Sequence, residues 1–174
     1  MAVAIELTQG KCAIVDELDA DLRRMKWYAD DVGRKTSLAW YAVRNSSISD
    51  GKKHAIRMHR VILERIIGRP LMAGEQAIHA NNDGLDNRRA NLRLATRTQN
   101  NANARIRTTP KSSKYRGVTW DKRCRRWRAQ IGFKGRNKFL GDYDHEEDAA
   151  RAYDAAAKKI FSSFCRLNFP GGRV

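Results

Sequence analysis

The sequence has few cysteines, and their spacing fits neither a disulfide framework nor a metal site. The 174-residue chain has three, Cys12, Cys124 and Cys165, which are far apart and odd in number. No Cys-x-x-Cys pair occurs, so a zinc finger is not indicated. We expect reduced thiols or small core residues at these positions.

Long apolar runs are also missing. No stretch approaches the roughly 18–20 apolar residues that a membrane-spanning helix needs. The N-terminal sequence MAVAIELTQGKCAIVDELD lacks a basic segment followed by an apolar one, which a secretory leader would have. We therefore expect a cytoplasmic protein.

Acidic residues are scarce beside basic ones. The chain has 19 Asp and Glu against 35 Lys and Arg, a formal net charge of +16. Between Asn103 and Lys138, thirteen basic residues accompany one acidic residue, Asp121, which gives this stretch a net charge of +12. Such clustering favours a nucleic-acid partner over an evenly solvated basic surface, although charge alone does not separate DNA from RNA. Aromatic residues alternate with these charges, as on many nucleic-acid surfaces: Tyr115, Trp120, Trp127 and Phe133.

Local patterns predict a mixed α+β chain. Alternating apolar residues predict a hairpin from 3–8 and 12–15, and a short helix follows Asp16 or Asp19. Further strands are predicted at 27–29 and 40–43, and a helix over 56–67 that ends before Gly68 and Pro70. After a basic linker over 103–114, the segments YRGVTW, RWRAQIGF and NKFLGDY predict three antiparallel strands, followed by a helix over 145–161.

The stretch from Gln76 to Arg105 has a distinctive order of polar residues. His79 ends a short apolar run, a loop rich in Asn, Asp and Gly follows, and then come Asn91 and Asn100. Together with the ELTQGKCAIVD and WYAVR segments, this core resembles phage homing endonucleases of the HNH type. The resemblance implies an HNH (ββα-metal) nuclease-like module over 1–102.

The same resemblance implies roles for three residues. His79 takes the position of the general base, and Asn91 takes that of the central Asn that braces the loop and the base. Asn100 takes the position of a ligand from the helix to one Mg²⁺ (or Mn²⁺) ion, which amide oxygens suit. Ile78, however, stands where the family has a metal-binding Asp. Asp83, Asp86 and Glu75 are the carboxylates that could compensate.

The segment 115–174 carries a second set of motifs. These are YRGV (115–118), the run from Trp127 to Ile131, FLGDY (139–143), EEDAARAYDAAAKK (146–159) and RLNFP (166–170). As a set they resemble the DNA-binding domain of plant Apetala and ethylene-response-factor proteins, which implies a three-stranded sheet packed on one helix. Trp127, Phe139 and Tyr153 are expected in its core.

The resemblance also implies how this module meets DNA. Arg116 carries over as a DNA contact, and Arg126, Arg128 and Lys138 are basic candidates on the same strands. In the linker, Arg105, Arg107 and Lys111 are expected to contact phosphates. The family usually has a Trp near Cys124 and Arg near Thr119 and Asn137, so its target sequence does not transfer to this chain.

The combined prediction is a site-specific, double-stranded-DNA-binding HNH endonuclease of the phage homing type, acting in the host cytoplasm. The alternative is a catalytically inactive relative, domesticated as a DNA-binding regulatory or accessory protein, because Ile78 replaces the metal-binding Asp. A binder of RNA is a third hypothesis. The sequence leaves the oligomeric state open.

Overall fold

A computed structural model describes residues 1–31, 40–46, 54–104 and 112–170. The contacts divide the chain into two compact units, Met1–Arg97 and Thr98–Val174. Both combine helix and sheet, which confirms the predicted α+β class. Within the described ranges, no helix has the length and apolar character needed to cross a membrane.

The N-terminal unit begins with the predicted hairpin. Strands β1 (Ala2–Glu6) and β2 (Cys12–Asp16) pair in an antiparallel register. Their side chains alternate between solvent and the core, where Ile5 and Val15 are buried. The short helix predicted next is a 3-10 helix, Glu17–Arg24.

A small sheet and a helix complete the core of this unit. Strands β3 (Tyr28–Asp31), β4 (Trp40–Asn45) and β5 (Ala55–Arg57) are antiparallel neighbours in that order. Helix α1 (Met58–Ile67) follows directly, so the first two residues of the predicted helix belong to β5 instead. Gly68 ends α1 in the left-handed conformation with φ of +69°, which glycine adopts without steric cost.

Strands β6 (Glu75–His79) and β7 (Leu92–Thr96) form a second antiparallel pair, with a loop over 80–91 between them. This loop is bound to β2 by two backbone hydrogen bonds. The N–H of Ile14 donates to the carbonyl of Leu85 at 2.8 Å, and the N–H of Asn87 donates to the carbonyl of Ile14 at 2.7 Å. The hairpin therefore supports the loop that follows His79.

A buried carboxylate joins three segments of the N-terminal unit. Asp19 is fully buried and accepts from Arg65 of α1 at 3.1 Å and from Arg89 of the loop at 2.7 Å. Asp16 accepts the backbone N–H of Arg89 at 2.7 Å. Because a buried charge is costly unless it is paired, these contacts fix the loop against the 3-10 helix and α1.

The C-terminal unit contains the predicted sheet and helix. Strands β8 (Val118–Asp121), β9 (Arg126–Phe133) and β10 (Arg136–Tyr143) form an antiparallel sheet with β9 in the centre. Helix α3 (Glu146–Phe161) covers one face, and its small residues allow close packing against the sheet. The buried side chains between them include Val118, Ala129, Ile131, Ala149, Ala150 and Tyr153.

One short helix lies at the division between the units. Helix α2 (Arg97–Asn103) starts at the end of β7, yet from Thr98 onward its contacts place it in the C-terminal unit. Its Ala102 is buried among Ile131, Tyr153 and other apolar residues of that unit. The domain boundary predicted after residue 102 stays a prediction. The packing divides the chain a few residues earlier.

Candidate functional site

His79 is the last residue of β6, and its side chain is buried. The ring Nε2 lies 3.2 Å from Oδ1 of Asn87. Since Nδ2 of Asn87 donates to the carbonyl of Leu85 at 3.1 Å, Oδ1 is the acceptor and the Nε2–H of His79 is the donor. The neutral imidazole then carries its lone pair on Nδ1, the nitrogen that would act as the general base.

The surroundings of His79 keep it neutral at pH 7. Burial lowers the pKa of His79 below its ordinary value. The hydrogen bond to Asn87 and the charges of Asp83 and Asp86 act in the opposite direction and limit this shift. A neutral histidine near carboxylates is chemically able to accept a proton from water.

Asn87 is a site residue that the sequence did not single out. The loop residues Asn81, Asn82, Asp83 and Asn87 are of the kind that usually only form turns. In the structure the Asn87 side chain is fully buried and fixes the tautomer of His79. Its position after a Leu-Asp pair gives no signal of this role, because only the fold brings it back to the β6 strand.

Asn91 braces the loop rather than the imidazole itself. Its Nδ2 donates to the backbone carbonyl of Asp86 at 2.7 Å and to Oδ1 of Asn81 at 3.0 Å. Its own Oδ1 accepts the N–H of Asn81 at 3.0 Å, and its carbonyl accepts the N–H of Ala80 at 2.9 Å. These four bonds hold the chain immediately after His79 against the start of β7.

Two further rings surround the candidate base. His59 of α1 packs edge-on against His79 with 4.8 Å between ring centroids, and Tyr41 of β4 lies 5.9 Å from His79. Burial lowers the pKa of His59 to about 3, and within the described part of the chain its Nδ1 has no hydrogen-bond partner. The loop side of this cluster is also tight. A Cβ at Gly84 would lie 2.9 Å from the Tyr41 ring.

Ile78 is buried and offers no ligand at the position where the HNH resemblance implies a carboxylate. Two of the three candidate replacements are occupied. Arg69 holds Glu75 through two hydrogen bonds of 2.7 and 2.8 Å, which lower the pKa of Glu75 to about 2. Arg88 holds Asp86 through two hydrogen bonds of 2.7 Å, which lower the pKa of that carboxyl.

Asp83 is the remaining carboxylate. It is exposed, its Oδ1 accepts the N–H of Leu85 at 3.0 Å, and its charge raises the pKa of His79. Across the ranges that the structure describes, no three or more His, Cys, Asp or Glu side chains form a group able to hold a metal ion. A hard divalent ion prefers several oxygen ligands, so the residues present do not fit a complete Mg²⁺ or Mn²⁺ site.

Asn100, the third predicted site residue, lies in α2. The contacts assign His79 and Asn91 to the N-terminal unit and Asn100 to the C-terminal unit. The structure thus brings His79 together with the loop that Asn91 braces. Asn100 belongs to a helix that packs with the sheet module.

The face of the sheet opposite α3 carries two predicted DNA-binding residues. Side chains along β9 point alternately to the two faces of the sheet. Ala129 is buried on the α3 side, so Arg126 and Arg128 point away from α3. Arg128 donates to Asp142 at 2.9 and 3.1 Å and lies 2.8 Å from Asp121. These contacts raise the pKa of Arg128 and hold its guanidinium close to the strands.

The basic residues on this face of the sheet lie beside acidic and aromatic side chains. Arg126 pairs with Asp144 at 2.9 Å. Phe139, which was expected in the core, is instead 58% exposed beside Arg128, so that prediction was wrong. The register of β9 and β10 explains it, because Phe139 pairs with Gln130 on the outer face.

Two other candidates lie elsewhere. Lys138 is exposed but pairs in register with the buried Ile131, so it is on the α3 side of the sheet. Arg116 directs its guanidinium toward backbone carbonyls of α2. Both remain predicted DNA contacts. The linker candidates Arg105, Arg107 and Lys111 lie outside the described residues.

Two family models match the chain in separate places. A model described as HNH endonuclease matches residues 57–102, and a model described as AP2 domain matches residues 113–163. The fold and the loop around His79 agree with the first, and the sheet with its covering helix agrees with the second. The chain therefore contains an HNH endonuclease domain followed by an AP2 DNA-binding domain. Such domains support double-stranded DNA as the partner.

Curated relatives are similar to part of this chain. An AP2-like ethylene-responsive transcription factor of Arabidopsis thaliana is 39% identical over 93 residues, which cover 47% of this chain and 30% of the relative. APETALA2-like protein 2 of Oryza sativa subsp. indica is 44% identical over 59 residues, 34% of this chain and 14% of the relative. The chain thus spans less than a third of either relative. No solved structure matches it.

Proposed function

We propose that this protein is a site-specific endonuclease for double-stranded DNA, of the phage homing type. The observation that carries the proposal is the hydrogen bond from His79 to Asn87, which leaves the lone pair of a neutral imidazole on Nδ1. The order of a nuclease domain followed by a DNA-binding domain supports the homing assignment.

The residues of the N-terminal unit would act on a water molecule. As the water oxygen attacks the phosphorus of a phosphodiester, the bond from phosphorus to the leaving sugar oxygen would break. Nδ1 of His79 would accept the proton of the water, a contribution of about 10²–10⁴ in rate for a well-placed base, and the leaving oxygen would take a proton from solvent. Asn87 would keep the ring in the required tautomer, and Asn91 would hold the loop around it. Asn100 is the proposed metal ligand, and the carboxylate that would hold the same ion is missing at Ile78.

The C-terminal unit would select and bind the DNA site. Its residues from Thr98 onward include 18 Lys and Arg against 7 Asp and Glu. Neutralising phosphates releases condensed counterions, so affinity should fall steeply as salt is added. Arg126 and Arg128 are the proposed contacts on the sheet, with Lys138 on its edge strand. Arg105, Arg107 and Lys111 are proposed to contact phosphates of the DNA backbone.

Cleavage can be tested once a binding site has been selected from a library of randomised DNA duplexes. The wild type should cut the selected duplex in the presence of Mg²⁺ or Mn²⁺, and His79→Ala should abolish cutting while it retains affinity. Arg151→Ala serves as a control in the other unit. Tight binding without cleavage in any divalent ion would exclude the nuclease proposal.

A second function is favoured by Ile78. Its buried apolar side chain, together with the Arg-paired states of Glu75 and Asp86, suits a catalytically inactive relative that retains DNA binding as a regulatory or accessory protein. Ile78→Asp separates the alternatives. A gain of cleavage would show that only this ligand is missing, whereas a stable and inactive Ile78→Asp protein would show that the rest of the centre has also changed.

A further inference from the structure

Helix α2 needs support from outside its own sequence. It has only seven residues, and the sequence RTQNNAN contains a single alanine among residues that are weak helix formers or polar. A helix this short is unstable in isolation, and the carbonyl groups of its last turn have no partners within it. Some other part of the C-terminal unit must therefore bind its end.

Arg116 supplies that support. Its Nη1 donates to the carbonyls of Asn101 at 2.9 Å and of Ala102 at 2.8 Å, and its Nη2 donates to the carbonyl of Ala104. A guanidinium has a fixed fork of donors, and its positive charge suits the negative end of the helix dipole. One side chain thus caps the C-terminal carbonyls of α2.

Arg116 is itself fixed to the centre of the C-terminal unit. Its backbone N–H donates to Oδ1 of Asn168 at 2.8 Å, and its carbonyl accepts from Nδ2 of Asn168 at 3.2 Å. The N–H groups of Asn168 and Phe169 donate to the buried Asp154 of α3, each at 2.9 Å. A continuous set of hydrogen bonds therefore runs from α3 through 168–169 and Arg116 to the end of α2.

Two further contacts hold the same helix. The N–H of Arg166 donates to the carbonyl of Ala102 at 3.1 Å, and the Ala102 side chain is buried beside Ile131 and Tyr153. Next to Arg116, Gly117 has φ of +74° and lies so close to Tyr153 that any Cβ there would overlap the ring. The position of the Arg116 backbone is therefore determined by packing as well as by hydrogen bonds.

We propose that Arg116 is a positioning residue that holds α2, and with it Asn100, on the DNA-binding unit. The inference rests on the proposed function in so far as Asn100 serves the nuclease centre. The C-terminal unit, which is proposed to bind DNA, would then also carry Asn100, one predicted residue of the nuclease centre. The guanidinium donates to backbone carbonyl groups of α2, whereas the sequence resemblance predicts that Arg116 contacts DNA.

The test uses the whole 174-residue chain and three variants of it. Arg116→Gln removes the charge and the fork, Arg116→Lys keeps the charge but loses the fork, and Arg151→Gln removes an equal charge from the exposed face of α3. Amide hydrogen exchange over 98–104 is the main readout, because it reports local opening directly. Exchange over α3 shows whether each variant remains folded.

If Arg116 positions α2, exchange over 98–104 rises at least roughly tenfold in Arg116→Gln and in Arg116→Lys, while exchange over α3 is unchanged. DNA affinity in Arg116→Lys stays within about twofold of wild type, and the loss in Arg116→Gln equals that in Arg151→Gln. Unchanged exchange over 98–104 in both variants would overturn the proposal. So would a loss of affinity in Arg116→Gln far larger than in Arg151→Gln, since this would make Arg116 a DNA contact.

Cleavage is measured separately at saturating DNA. A positioning role predicts a lower cleavage rate in Arg116→Gln without a matching loss of affinity. If the wild type does not cleave, the proposed nuclease function fails, but the exchange measurements still decide whether Arg116 holds α2.

Discussion

In the N-terminal unit, two arginines pair with a fully buried carboxylate, whereas in the C-terminal unit Arg128 pairs with carboxylates on the open face of the sheet. Asp19 is completely enclosed between Arg65 and Arg89, while Arg128 and its partner Asp142 remain partly exposed. Residues 1–97 carry a formal net charge of +5, and residues 98–174 carry +11. The buried pairs of the first unit therefore help to fix the loop around His79, and most of the excess positive charge lies in the second unit.

The largest expected effect comes from removing the buried charge of Asp19. Asp19→Asn should destabilise the N-terminal unit by about 3–5 kcal/mol, because Arg65 and Arg89 would lose a buried partner. Urea unfolding gives the free-energy change. Asp21→Asn is the control, since Asp21 pairs with the same Arg65 but is exposed. Equal effects of the two variants would remove the distinction between buried and surface pairs.

The second prediction concerns the sheet face of the C-terminal unit. Arg128→Ala should weaken binding to the selected DNA roughly 5- to 150-fold if the guanidinium reaches base edges. The unfolding free energy should change little, because the ion pairs of Arg128 are partly exposed and such pairs contribute about 0–1 kcal/mol. Fluorescence anisotropy measures the affinity, with Arg151→Ala as the variant of equal charge. If Arg128→Ala and Arg151→Ala bind equally well, the recognition surface lies elsewhere.

The third prediction uses acid to perturb the cluster of rings around His59 and His79 in the N-terminal unit. The pKa of His59 is about 3 in the folded protein and near 6.5 in the unfolded chain, so below pH 6.5 the unfolded state binds more protons. The contribution of His59 to the free energy of unfolding is therefore fully present above pH 6.5, and about 2 kcal/mol of it is lost between pH 7 and pH 5. Urea unfolding at both values checks this, and His59→Phe should reduce the dependence. An unchanged slope in His59→Phe would assign the acid sensitivity to another group.

The smallest predicted effect is an increase in DNA affinity rather than a loss. Asp142→Asn removes a carboxylate that both pairs with Arg128 and repels phosphate, so DNA affinity should increase by about two- to fivefold at low salt. Anisotropy measurements from low to high salt should show the gain disappear. A decrease in affinity would mean that Asp142 is needed to orient Arg128 for binding.

Much of the architecture follows from local patterns. The β1–β2 hairpin, the three strands of the C-terminal sheet and α3 were all predicted from alternation and helical spacing, because each buries a face that its own sequence defines. The 3-10 form of Glu17–Arg24 was not predicted. The buried Asp19 of this segment pairs with two arginines that are far away along the chain, and local propensity does not report such pairs.

The candidate site was predicted in part. The HNH resemblance implied the roles of His79 and Asn91, which stay predictions, and the structure places both residues at the 80–91 loop. Asn87 was missed because its role depends on a loop that returns to β6 and is held there by β2. The outward position of Phe139 was missed because it depends on the register between β9 and β10.

By itself, the sequence determined the order of the two modules, the concentration of positive charge in the second, and the absence of a carboxylate at Ile78. The tertiary structure alone decided which nitrogen of His79 carries the lone pair, which nearby carboxylates are already paired, and which unit holds α2. The physical reason is distance along the chain. Periodicity and composition act within a few residues, whereas the partners of Asp19, His79 and Arg116 are brought together only when separate segments pack.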